Sequence, residues 1–189
     1  VWTPAQDEGL DPQLVGWRRR ALDALEWVLH GPDFGTEGQA WVESPTLVVS
    51  TSTDFSIEFS ARYSFEADNS TAYDGGVIEL SLDEGQTWQD VSTRGALSPA
   101  YGGELSDCCD NPLAGRAAFV GNSPGWPNTF TPHRIDFGRS LEGQQVRLRF
   151  LVATDAAVSA PGWEIDEVRA IGIDNTPFPQ RVPQATACT

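Results

Sequence analysis

The sequence predicts an all-β protein, an antiparallel two-sheet sandwich of jelly-roll-like build. Three observations carry that expectation. Residues 55–66 alternate without a break: Phe55, Ile57, Phe59, Ala61, Tyr63 and Phe65 point one way, Ser56, Glu58, Ser60, Arg62, Ser64 and Glu66 the other. Strand side chains project with period two, so this writes one buried and one wet face, whereas a helix would scatter the apolar groups around its circumference. Further strand-like segments follow at short intervals without intervening helical patterns, which favours a sandwich over a parallel sheet. With 18 Gly and 13 Pro in 189 residues, the chain is also rich in turn formers.

In chain order, residues 1–10 are acidic and read as a linker or loose arm. From Asp11-Pro12 onward, Leu14, Trp17, Ala21, Leu25 and Val28 recur at steps of three or four, the spacing of a short N-terminal helix. Leu25–His30 suits a strand equally well, which would stop that helix near residue 24. Gly31–Gly38 is a loop, and Pro45 splits two short strands at 40–44 and 46–49. After the long alternating strand comes an acidic loop at 67–76. Residues 77–82 and 87–91 then form a hairpin around Asp83-Glu-Gly-Gln86. Residues 92–115 are irregular and 117–120 a short strand, and the proline-rich stretch 122–132 must be loop. Strands resume at 134–137, 145–152 and 162–171. The expected division is an arm or short helix at 1–26, a sandwich at 27–174 and a Pro-rich tail at 175–189.

Composition excludes several functions. The formal charge is −15, every basic residue is Arg, and Arg18-Arg19-Arg20 is the only basic cluster, so a nucleic-acid partner is not expected. No apolar run approaches the roughly 20 residues of a membrane span. Val1 in place of Met reads as a processed chain or an excised piece, and the Arg bias suits a GC-rich bacterial genome. Of the three cysteines, Cys108 and Cys109 are neighbours and Cys188 lies near the C-terminus, a spacing unlike a zinc site. Cys188 bonded to one of the pair, a bridge between the neighbours, and free buried thiols all remain open.

An ordered set of segments resembles something known. His30-Gly-Pro-Asp33, Glu43-Ser-Pro45, Tyr63-Ser-Phe-Glu66, Tyr73-Asp-Gly-Gly-Val-Ile-Glu79, Gly85-Gln-Thr-Trp88, Pro112-Leu-Ala-Gly-Arg116, Phe119-Val-Gly121, Val146-Arg-Leu-Arg-Phe150, Thr154-Asp155, Gly162-Trp-Glu-Ile-Asp166 and Asn175-Thr-Pro-Phe-Pro179 are similar to a C-terminal accessory domain of secreted bacterial metallopeptidases. The likeness is to fungalysin-type and immune-inhibitor-A-type enzymes, especially myxobacterial ones, and covers roughly residues 27–180. It implies a jelly roll related to MAM and carbohydrate-binding folds, often carrying structural calcium, with no catalysis in this segment.

The acidic residues supply the first candidate site. Asp74 stands beside Gly75 and Gly76, whose backbone freedom could turn carbonyls inward. Asp166 lies between apolar Ile165 and Val168, an odd place for an unpaired carboxylate. Asp33 and Glu37 share a glycine-flanked loop. Calcium takes six to eight oxygens, so a few carboxylates with loop carbonyls would suffice. The resemblance implies a cation where the loop after the first strand meets an acid of the last, favouring Asp33, Glu37 and Asp166, with Glu66 and Asp74 flanking. The plain alternative is that Asp166 accepts bonds from amides or Arg and the others face water.

Three further motifs weigh less. Gly121-Asn-Ser123-Pro-Gly125 matches the serine-hydrolase string, and His133 follows, but Pro124 and Pro127 deny it the helix it needs. Glu164 and Asp166 would share a strand face about 6–7 Å apart, a spacing glycosidases use, yet no cleft is legible. Trp126, in a Pro-Gly loop, could stack on a sugar or peptide, while Trp27, Trp88 and Trp163 read as core. The expectation is a calcium-stabilised, non-catalytic accessory domain of a secreted or cell-surface protein, associated with a metallopeptidase. Its partners would be a protein or polysaccharide ligand, the parent protease domain or neighbouring subunits. A lectin-like carbohydrate-binding module and a structural subunit of an extracellular assembly are the alternatives.

Overall fold

The computed structural model describes residues 1–8, 10, 16–24 and 26–178. Its strands are β1 (Thr3–Gln6), β2 (Arg18–Ala21), β3 (Trp27–Gly31), β4 (Gly38–Glu43), β5 (Leu47–Val48), β6 (Phe55–Ser64), β7 (Gly75–Ser81), β8 (Gln89–Asp90), β9 (Ala96–Ser98), β10 (Gly103–Glu104), β11 (Ala117–Val120), β12 (Thr131–Gly138), β13 (Gln145–Thr154) and β14 (Gly162–Ile171). They form an eight-stranded sheet, ordered β1-β4-β13-β7-β11-β10 with β5 on β13 and β8 on β7, and a six-stranded sheet ordered β2-β3-β14-β6-β12-β9. All pairings are antiparallel. From β11 onward the chain changes sheet at each successive strand, closing the expected sandwich.

The alternation of β6 is realised as written: Phe55, Ile57, Phe59, Ala61 and Tyr63 are buried between the sheets. They meet Phe119, Phe150 and Trp163 in an aromatic core, with Phe150–Trp163 and Phe119–Trp163 edge-on at 5.6 and 5.4 Å. The hairpin β7–β8 closes on Asp83, whose carboxylate accepts from the Ser81 hydroxyl (2.8 Å), the Thr87 amide (2.8 Å) and the Thr87 hydroxyl (2.6 Å). β7 is buried on both faces. Its outer side lies beneath residues of the 99–116 segment, in a second apolar cluster of Val77, Leu105, Leu113, Ala118, Leu151 and Ala153.

The N-terminal helix is not seen. Among the described residues of that stretch, Arg18–Ala21 is a strand paired with β3, and Leu14 and Leu25 lie outside the described residues. The apolar spacing is met instead by Trp17, just before β2, whose ring fills the space over Gly31, its indole donating to the Ala40 carbonyl (2.9 Å). Nor are residues 1–10 all arm: Thr3–Gln6 extends the larger sheet through β4. No described helix is long and apolar enough to cross a membrane.

His133 lies in the core beside Phe59 (4.9 Å, stacked) and Phe119 (5.1 Å, edge-on), and neither ring nitrogen has a partner. Burial lowers its pKa to about 4. The folded protein thus holds it neutral while the unfolded chain protonates near 6.5. Its contribution is full above that value and is lost as pH falls through about 4. His133→Phe, which keeps the ring contacts and removes two unsatisfied nitrogens, is expected to stabilise the fold by about 1–3 kcal/mol at neutral pH. It should also flatten the acid limb of a melting-temperature profile.

Candidate cation site

Four carboxylates converge at one end of the sandwich. Asp74, the last residue before β7, is fully buried. Asp155, just beyond β13, is 2 % exposed. Glu66 follows β6. One carboxylate oxygen from each of Glu66, Asp74 and Asp155 lies within 4.8 Å of the others. Asp33, 5 % exposed in the β3–β4 loop, adjoins Asp74 and accepts from the Glu66 amide (3.3 Å).

The strands bring these residues together through register. Gly162 pairs with Ser64 and Trp163 with Gly31, so the ends of β3 and β6 meet beside the start of β14. On the facing sheet, Gly75 pairs with Ala153, placing Asp74 opposite Thr154-Asp155. Gly162 has φ +84, and a Cβ there would meet the Gly31 carbonyl at 2.3 Å and the Asp33 amide at 2.9 Å. Only glycine lets the Asp33 loop approach β14 so closely. Gly75 and Gly76 act otherwise than expected: neither has positive φ. They are small because the Phe119 carbonyl (2.8 Å) and the Trp163 ring (2.6 Å) occupy the space of their side chains.

Each acid is partly satisfied by backbone. Asp74 Oδ1 accepts from the Asp155 amide (2.7 Å), Asp155 Oδ1 from the Ala157 amide (2.8 Å), and Glu66 Oε2 from the Val158 amide (3.1 Å). Two oxygens are left over. Asp74 Oδ2 and Asp33 Oδ1 are buried without a hydrogen-bond partner. Burial, and then the neighbouring Asp33 charge, push the Asp74 carboxyl well above the usual carboxylate range; burial likewise raises Asp33. Unpaired buried carboxylates are unfavourable unless protonated or coordinated. The donors are all hard oxygens, which suit calcium and not a soft metal.

Of the expected ligands, Asp33, Glu66 and Asp74 converge here. Glu37 is exposed on a bend at the far end of the same loop, just before β4, and is not among the converging acids. Asp166 is remote: it pairs with Ser60, about 20 Å along the chain from Glu66 at strand rise. Its Oδ1 accepts from the Glu167 amide (2.7 Å) at a β-bulge, which is the plain alternative weighed above. Asp155 is absent from the expected ligands. A Thr-Asp pair ending an apolar strand and followed by Ala-Ala is its only local signal.

The other motifs fall to structural roles. Ser123 Oγ accepts from the Tyr63 amide (3.0 Å) in a turn without a helix. Glu164 is buried between Arg20 and Arg62. Trp126 is half-buried and lies over the Arg62 guanidinium (5.7 Å), which Phe130 also contacts (4.6 Å). Trp163 is core, but Trp27 and Trp88 are only half-buried, against Arg19 (5.0 Å) and Arg149 (4.5 Å). A cleft of about 460 Å³ on the outer face of the smaller sheet is lined by charges that pair with one another, Arg134–Glu58 (2.5 Å) and Arg169–Glu167 (3.9 Å). The sulfurs of Cys108 and Cys109 are in bonding contact, and Cys188 lies outside the described residues.

No protein-family model matches the chain, and a search of curated proteins finds no significant relative.

Proposed function

We propose that this chain is a calcium-stabilised, non-catalytic binding domain of a secreted or cell-surface protein, serving a metallopeptidase as its accessory sandwich. The observation that carries the cation part is Asp74: fully buried, one oxygen unpartnered, beside three other carboxylates. A hard divalent cation at that point would balance the charge and coordinate the orphaned oxygens. The accessory role is supported by the ordered segments described above and by the structural use of Ser123 and Glu164. The outer face of the smaller sheet, away from the converging acids, remains for a protein or polysaccharide partner.

Scanning calorimetry tests the cation. Calcium at a thousandfold its dissociation constant adds about 4 kcal/mol. At about 2–4 °C per kcal/mol for a chain of this size, the melting temperature should fall by about 8–16 °C in chelator and return with calcium. An identical melting curve with and without chelator, in protein stripped beforehand, would overturn the proposal.

A further inference from the structure

The paired cysteines stand at the top of a short arch whose feet rest on the cation site. At one foot the Ser106 amide donates to the Ala72 carbonyl (2.9 Å). At the other, Asn111, 4 % exposed, donates through Nδ2 to the carbonyls of Tyr73 (2.8 Å) and Ala153 (3.1 Å). These carbonyls belong to the residues leading into Asp74 and Asp155. Asn111 is thus a strut between the two chain segments that present the buried acids, and its Oδ1 is held by the Leu113 amide (2.9 Å). Between the feet, the Cys108 amide donates to Ser106 Oγ (3.3 Å). Cys108 is exposed and Cys109 half-buried, so the sulfurs are open to a soluble reagent.

We infer that the Cys108–Cys109 bond is a redox-operated clamp on the cation site. Closed, the bond ties neighbouring residues into a small ring and fixes the arch, holding Asn111 against both carbonyls. A soluble dithiol opens it by exchange. One thiolate attacks a cysteine sulfur, the S–S bond breaks, and the second thiolate resolves the mixed disulfide. The products are two cysteine thiols and an oxidised reagent, two electrons having passed to the protein. The opened arch regains backbone freedom that must be lost again to seat Asn111. Cation binding, which needs Asp74 and Asp155 at fixed spacing, weakens accordingly. Coupling is reciprocal, so bound calcium makes the bond harder to reduce by the same factor.

This inference rests on the cation reading, and the test separates the two. Calcium titration calorimetry is run on the full chain carrying Cys188→Ser, oxidised and after reduction by dithiothreitol, alongside Cys108→Ser/Cys109→Ser without reductant. Oxidised protein is expected to bind about tenfold more tightly than the reduced form or the double variant, a mid-range coupling. Asn111→Asp, which keeps the acceptor and removes both donated bonds, should weaken binding with the disulfide closed and make reduction inconsequential. In a dithiothreitol redox buffer, saturating calcium should shift the dithiol–disulfide equilibrium by the same factor. Equal calcium affinity in oxidised and reduced protein overturns the clamp and leaves the cation; no calcium binding in either form overturns both.

Discussion

Asp74→Asn is expected to change the sign of its effect with calcium. In chelator the variant should melt above the parent, because asparagine removes the cost of burying an ionisable carboxyl, which must take up a proton or stay charged, yet keeps the oxygen that accepts from the Asp155 amide (2.7 Å) and offers an NH₂ group to the adjoining carboxylates. The gain should be about 1–3 kcal/mol, the scale of one unsatisfied buried polar group. In saturating calcium the order reverses. The parent gains about 4 kcal/mol at a thousandfold its dissociation constant while the variant, short of a central ligand, gains little. Two calorimetric scans per protein check this. A variant destabilised equally in both buffers would show Asp74 to be a plain structural acceptor.

The same acids set a pH dependence. Burial raises Asp33 and Asp74 above their unfolded values. In metal-free protein their contribution is therefore full below the unfolded carboxylate pKa and is lost as pH rises through the raised values. The buried histidines act oppositely, but only below about 6.5, where their unfolded forms take up protons. From pH 6.5 to 8, metal-free protein should lose stability as pH rises and calcium-loaded protein should hold level. Cation binding should also release protons, read as a binding heat that varies with buffer ionisation enthalpy.

Strands were legible where one face is buried and the other wet, as in β6, because period two is then written in the residue types themselves. β7 was legible by its β-branched and apolar run although both faces are covered. What covers it, residues 99–116, has no periodicity, so the third layer could not be read. The N-terminal stretch misled because Trp17 and Val28 are apolar for separate reasons: Trp17 fills the gap over Gly31, and Val28 is buried in β3. Their spacing mimics a helix stripe that no packing partner requires. At the cation site, Asp33, Glu66 and Asp74 announced themselves as acids at strand ends beside turn residues. Asp155 did so only weakly, and Asp166 was suggestive because a carboxylate flanked by apolar neighbours looks buried. The bulge between Asp166 and Arg169 is what exempts it, by giving its side chain the Glu167 amide. Which acids converge depends on cross-strand register, and a single sequence does not state register.

The second large effect is expected at Glu164, on the smaller sheet. Its carboxylate is 1 % exposed and lies between the guanidinia of Arg20 and Arg62. Arg62 in turn carries Phe130 and Trp126 and donates to the Pro127 carbonyl. Glu164→Ala removes the carboxylate that both arginines contact and leaves Arg62, 16 % exposed, without it. Breaking such a pair from one side costs about 3–5 kcal/mol, a fall in melting temperature on the order of 10 °C. Replacing the pair as a unit, Glu164→Leu with Arg62→Met, should cost far less than either single change, since the penalty lies in the stranded charge more than in a lost attraction. Arg20→Ala should cost least, because Arg20 is 37 % exposed and Glu164 keeps the Arg62 guanidinium. Urea unfolding of the variants, read as a double-mutant cycle, checks the ranking. Single-variant costs that simply add in the double replacement would mean that Glu164 and Arg62 stabilise the sheet independently, and that the loop carrying Trp126 is held by its aromatic contacts alone.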